Sequence, residues 1–172
     1  MRYLVCLVLV FLSSCTGVPK GITPVSNFEL EPYLGRWYEI ARLDHSFERG
    51  LSNVTAQYSL REDGSVEVKN RGFEDAKAQW KEAIGKARFK GAPDIGHLKV
   101  SFFGPFYGSY VIFELDRENY QHAFVTSYNK DSLWFLSRDY VVSQEQYDDF
   151  LQQVQALGFD TAEIIRVVHD KH

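Results

Sequence analysis

The stretch that decides the fold is Asn27-Phe28-Glu29-Leu30-Glu31-Pro32-Tyr33-Leu34-Gly35-Arg36-Trp37-Tyr38-Glu39-Ile40-Ala41-Arg42. It reads as a short turn of helix, a glycine and then a strand. Pro32 suits the first turn of a helix, where its missing N–H costs nothing. Gly35 lets the chain turn sharply and lets another backbone or ring come close. Trp37 then enters a strand whose side chains alternate between two faces. A tryptophan at the mouth of a first strand can close the floor of a cup, provided the rest of the chain makes the walls.

The walls are written as alternation. After a first strand over 35–43 and a polar loop over 44–50, Val54, Ala56, Tyr58 and Leu60 alternate with Asn53, Thr55, Gln57, Ser59 and Arg61. That is a half-buried strand with one wet face. Asp63-Gly64 is a hairpin turn, and Val66 and Val68 then alternate with Glu67 and Lys69. Ala83, Gly85, Ala87 and Phe89 repeat the pattern, as do Leu98, Val100 and Phe102. Denser apolar strands follow over 110–115, 120–128 and 132–138, separated by polar turns. Together these make eight antiparallel strands of about 7–10 residues.

Such a run forms either a sandwich or a barrel. An up-and-down order favours closure, which removes exposed edges. Eight strands enclose room for one small ligand. Small inward residues (Ala56, Ala83, Gly85 and Ala87) leave volume that a packed sandwich core would fill. One helix follows: Ser143 with Gln146 makes a capping box, and Gly158 supplies a left-handed stop. Tyr147, Phe150, Leu151, Val154 and Leu157 share one face, so the helix must dock outside the sheet, on Ile40, Leu133 and Phe135. A short closing strand over 161–168 ends the domain. The fold class is therefore an all-β, eight-stranded antiparallel up-and-down β-barrel with one outer C-terminal helix.

The chain has 172 residues, 45% hydrophobic and 15% aromatic, which suits one domain with a real core. Its formal charge of -4, with no basic run, argues against nucleic acid as a partner. At the start, Arg2 precedes an apolar run over 3–12 that is too short for a bilayer span of about 20 residues. This is the form of a secretory signal over 1–14. Its end, Leu12-Ser13-Ser14-Cys15, resembles a bacterial lipobox. That resemblance implies cleavage before Cys15, lipidation of Cys15 and anchoring in a membrane. Thr16 at the next position implies the bacterial outer membrane. Cys6 leaves with the signal, so the mature domain holds no free thiol and no disulfide. Residues 16–26 contain Gly17, Pro19, Gly21 and Pro24 with no hydrophobic period, and read as a flexible tether.

These features resemble the lipocalin family. Gly35-Arg36-Trp37 matches its first-strand G-x-W. Leu115-Asp116-Arg117-Glu118-Asn119-Tyr120 stands at its T-D-Y turn, with departures at Leu115 and Arg117. Arg138 matches the arginine that ends the last barrel strand. The resemblance covers residues 27–172 and implies that Gly35, Trp37 and Arg138 form the barrel floor, with the guanidinium across the indole. It also implies binding of a small hydrophobic ligand, and for lipid-anchored bacterial members a fatty acid or lysophospholipid. The residues point to the same class, because an apolar interior with a few polar groups suits an acyl chain with its head at the rim.

Strand alternation places Ala56, Tyr58, Val68, Ala87, Val100, Phe102, Tyr110, Ile112 and Trp134 on the cavity wall. Glu39 and Glu114 share that inward parity, and a buried carboxylate there demands a partner. An enzyme is not expected, since His45, His97, His122 and His169 are scattered without partner spacing, and no cofactor or metal site is expected either, since His169 and His172 sit in a terminal tail with no third ligand. Two rival classes stay open. One is a lipid-modifying enzyme. The other is an interaction protein that uses the apolar 103–107 loop as a contact patch. A homodimer is compatible with the chain, which does not fix its oligomeric state.

Overall fold

Strand β1 (Gly35–Leu43) pairs antiparallel with β2 (Leu51–Leu60) along one edge and with β8 (Leu133–Ser137) along the other. Those two pairings close the sheet into a barrel. Between them run β3 (Val66–Glu74), β4 (Gln79–Phe89), β5 (His97–Ser101), β6 (Gly108–Leu115) and β7 (His122–Thr126), each pairing with its neighbour in sequence. A short β9 (Ile164–Arg166) adds to the far end of β1. A four-residue helix α1 (Leu30–Tyr33) precedes β1, and α2 (Gln144–Ala156) follows β8. The computed structural model describes residues 16–171, so the expected signal and Cys15 lie outside the described residues.

Two apolar clusters lie on opposite sides of the wall. The inner one holds Tyr33, Trp37, Tyr58, Val68, Leu98, Ile112 and Leu136. The outer one joins Ile40, Leu133 and Phe135 to Phe150 and Val154 of α2. The rings of Phe135 and Phe124 each lie 4.9 Å from that of Phe150, which is fully buried. Burying such a side chain contributes about 2–3 kcal/mol. The helix begins as its sequence predicts. Ser143 Oγ accepts from Gln146 N at 3.1 Å, and Gln146 Oε1 accepts from Ser143 N at 3.0 Å. Gly158 ends it at φ +81°.

Three expectations change. Strands β3 and β4 run well past the alternating core of each. Their extensions are polar, but Phe73 packs on Trp80 at 5.4 Å, Arg71 lies over Trp80, and Glu74 pairs with Lys77 and Lys81. Second, residues 16–26 are not a free tether. Thr16, Ile22 and Val25 are buried. Val25 N donates to Ile112 O, and Gly96 N donates to Val25 O. Ser109 Oγ donates to Gly17 O, and Lys90 Nζ donates to Thr16 Oγ1. The segment is stitched along β5 and β6, with Ile22 in the outer apolar cluster and Val25 in the inner one, which its proline and glycine content concealed.

Third, two β-bulges reset the alternation. One falls between Glu39 and Ala41, and turns both Ile40 and Ala41 outward. Arg42, outward by strict alternation, therefore faces inward opposite Trp134. The other falls between Ile112 and Glu114. Glu114 ends up opposite Phe124, an outer residue, so it does not face the interior.

Candidate functional site

The floor is built by one cation. Arg138 lies with its guanidinium carbon 3.9 Å above the Trp37 ring, an arrangement worth about 0.5–2 kcal/mol. Its N–H groups donate to the carbonyls of Pro32, Leu34, Arg36 and Tyr120 at 2.7–3.2 Å. Those carbonyls belong to α1, its exit, the start of β1 and the 116–121 turn, so one side chain ties four segments under the barrel. Trp37, fully buried, donates from Nε1 to Tyr33 O at 2.8 Å. Gly35 sits at φ +96°, where a side chain would be strained.

Above the floor the interior is first filled and then open. Phe28, Tyr33, Leu98 and Ala87 surround a space of only about 10 Å³. A chain of three phenols caps it: Tyr110 OH lies 2.7 Å from both Tyr33 OH and Tyr58 OH. Burial holds all three phenols above their ordinary pKa, so they stay neutral. Three hydroxyls sharing two hydrogen bonds leave one O–H donor over. Beyond them opens a cavity of about 330 Å³, within the range of small-molecule sites.

One side of this cavity is polar. The loop after β1 folds Glu48 into the interior, where it is 3% exposed. Trp134 Nε1 donates to Glu48 Oε2 at 3.0 Å, and His45 Nε2 lies 3.0 Å from the same oxygen. Glu39, also 3% exposed, accepts from Arg42 Nη1 at 2.7 Å. Arg42 Nη2 donates to the carbonyls of Glu48 and Leu51 at 3.0 Å. Burial, then the charge of Glu48, pushes the Glu39 carboxyl well above the usual range. Burial also works against an ionised Glu48, but the His45 contact, with Trp134 and Glu39, holds its carboxyl below the usual range. The two carboxyls are thus pushed apart, Glu39 toward its protonated form and Glu48 toward its ionised form. On the opposite wall Asn70 Oδ1 is buried without a hydrogen-bond partner, an acceptor that a ligand or water can use.

A family model described as a lipocalin-like domain matches residues 28–169. The chain belongs to the lipocalin family. This lipocalin is 57% identical over 158 residues to the outer membrane lipoprotein Blc of Vibrio cholerae, covering 92% of each chain. It is 50% identical over 159 residues to the protein of the same name in Escherichia coli, covering 92% of this chain and 89% of the relative. Insecticyanin from the tobacco hornworm Manduca sexta shares the fold at a TM-score of 0.70 and 20% identity, over 90% of this chain and 88% of that one.

Of the wall residues expected in this lipocalin, Ala56, Tyr58, Val68, Val100, Phe102, Tyr110 and Trp134 border the 330 Å³ cavity. Ala87 and Ile112 do not. Ala87 borders the small space beneath the phenols. Ile112 is two residues nearer the floor than Tyr110 on the same strand face, and is fully buried in the inner cluster. Gly85 also departs from expectation: a Cβ there would lie 2.9 Å from the Phe102 ring, so the missing side chain is replaced by that ring. The polar side was missed apart from Glu39, because Arg42 depends on a bulge and His45 and Glu48 sit on a loop. Among the described residues no three His, Cys, Asp or Glu side chains group to hold a metal, and no helix is long and apolar enough to cross a membrane.

Proposed function

We propose that this lipocalin binds an acyl lipid, a fatty acid or lysophospholipid, and carries or stores it at the bacterial outer membrane while anchored through Cys15. The single observation that carries the reading is the 330 Å³ cavity with an apolar wall and hydrogen-bonding groups at Glu39, Glu48, Asn70 and the phenols. A tail fits the apolar wall, and a head near the loop over 44–50 meets the polar groups. The relatives are named outer membrane lipoproteins, which supports the location and the anchor.

The His45–Glu48 pair beside a carboxyl of raised pKa is the one feature on the side of catalysis. Carriage is favoured because Arg42 holds one oxygen of Glu39, and Trp134 and His45 hold one oxygen of Glu48, which fixes both carboxyls as hydrogen-bonding wall rather than as mobile acid–base groups.

Titrating fatty acid and lysophospholipid into the protein while following tryptophan emission tests the reading. Trp134 alone of the three tryptophans borders the cavity, so saturable quenching at one ligand per chain is expected, and Trp134→Phe removes most of it. Absence of binding for both lipids, with no lipid co-purifying, overturns carriage. Steady release of fatty acid from a lysophospholipid moves the function to catalysis.

A further inference from the structure

The base of the cavity is polar although apolar side chains surround it. Tyr58 and Tyr110 border both the 330 Å³ cavity and the small space beneath it, as do Val68 and Val100. Tyr110 OH sits 2.7 Å from each of the other two hydroxyls, and among the described residues no other hydrogen bond reaches any of the three. The protons can be ordered in three ways. One leaves the spare O–H on Tyr58, one on Tyr110 and one on Tyr33, so two of the three aim a donor at the cavity. Burial keeps the phenols neutral, and they remain donors.

The neighbouring wall supplies the complement. Asn70 stands on the cavity face of β3, two residues from Val68, the cross-strand partner of Tyr58. Diagonal neighbours of this kind lie about 7–8 Å apart at Cα. Asn70 Oδ1 is buried without a hydrogen-bond partner. A spare donor and a spare acceptor therefore meet the same part of a ligand, and a hydroxyl answers both because it accepts and donates. A wholly apolar chain that reaches the base buries the phenol donor unpaired and drives off any water that would meet it, which weakens binding.

The rest of the cavity decides what carries that hydroxyl. Glu39, His45 and Glu48 already offer polar contacts to a head group, toward the loop over 44–50. The base therefore meets the other half of the ligand. No lysine or arginine is among the residues that border the cavity, so nothing at the base balances a carboxylate, and a neutral oxygen is what fits there.

We propose that Tyr58, Tyr110 and Asn70 form a hydroxyl-recognising subsite at the cavity base, so that the preferred lipid carries a hydroxyl on the distal half of its acyl chain. The subsite rests on the carrier reading and narrows it to a class of acyl lipid.

The test titrates lauric, myristic and palmitic acids, each plain and ω-hydroxylated, into the protein while following tryptophan emission. The three lengths carry the terminal oxygen to different depths. At the length that reaches the base, the ω-hydroxy acid binds at least as tightly as the plain acid, whereas burying a hydroxyl without a partner costs about tenfold or more. In Tyr58→Phe/Tyr110→Phe the ω-hydroxy acid loses about tenfold and the plain acid gains about threefold, because no donor is stranded at the cavity. A merely loosened fold does not move the two acids in opposite directions. Should that variant fail to fold, Asn70→Ala lowers the ratio of ω-hydroxy to plain affinity by about threefold. The subsite is overturned when ω-hydroxy acids bind more weakly than plain ones at every length, or when the ratio survives the substitutions; plain acids that still bind then leave the carrier reading standing. Binding of none of the acids removes both.

Discussion

The Arg42 guanidinium lies 2.7 Å from the Glu39 carboxyl, and both side chains are almost wholly buried inside the barrel. Arg42 also holds the carbonyls of Glu48 and Leu51, so it fixes the loop that brings Glu48 to the cavity. Arg42→Leu leaves buried polar groups without a partner. Urea unfolding should show a loss of about 3–5 kcal/mol. Glu39→Gln keeps an acceptor for Arg42 and a donor toward Glu48, and should stay within about 1 kcal/mol of wild type at about pH 4, where Glu39 is protonated in both the folded and unfolded chain.

The same pair of carboxyls makes stability depend on pH in two opposed ways. Glu48 has a lowered pKa, so its contribution is present above the unfolded value of about 4.3 and is lost as pH falls. Glu39 has a raised pKa, so its contribution is full below that value and is lost as pH rises toward the folded value. Glu39→Gln should therefore gain on wild type as pH rises above about 4.3, by up to about 1.4 kcal/mol per pH unit. Glu48→Gln should lose less than wild type on the acid side. Urea unfolding across a pH series checks both slopes.

At the floor, Arg138→Lys keeps the charge but loses the planar fork that meets four carbonyls and covers Trp37. The expected cost is about 2–3 kcal/mol, with a red shift of Trp37 emission as water reaches the ring. Ligand affinity should change little, because Arg138 lies on the far side of the phenol chain from the cavity.

Gly85→Ala tests the filled side of the barrel. The new methyl would lie 2.9 Å from both the Phe102 ring and the Ser101 carbonyl. The ring must move into the cavity and the β4–β5 backbone must part slightly at Ser101. Stability should fall by about 1–3 kcal/mol and long-chain fatty-acid affinity by about tenfold, read by thermal melts and tryptophan titration.

Strand count, closure, the outer helix and most of the wall were legible because a two-residue period reports directly which face is buried. Legibility stopped where that period slips. The bulge at residues 40–41 brings Arg42 inside, and the bulge after Ile112 puts Glu114 outside; neither leaves a mark in composition. His45 and Glu48 were hidden for another reason. A polar loop of seven residues looks solvated, and the Arg42 and Trp134 contacts that hold Glu48 inward are long-range or bulge-dependent. Small inward residues were ambiguous too: Ala56 borders open space, whereas Gly85 makes way for a ring.

The wall between the two apolar clusters has an evolutionary consequence. Substitutions among Phe124, Phe135, Phe150 and Val154 can retune how long the fold survives without reshaping what it holds. Selection for durability and selection for cargo can then proceed on separate residues of one sheet.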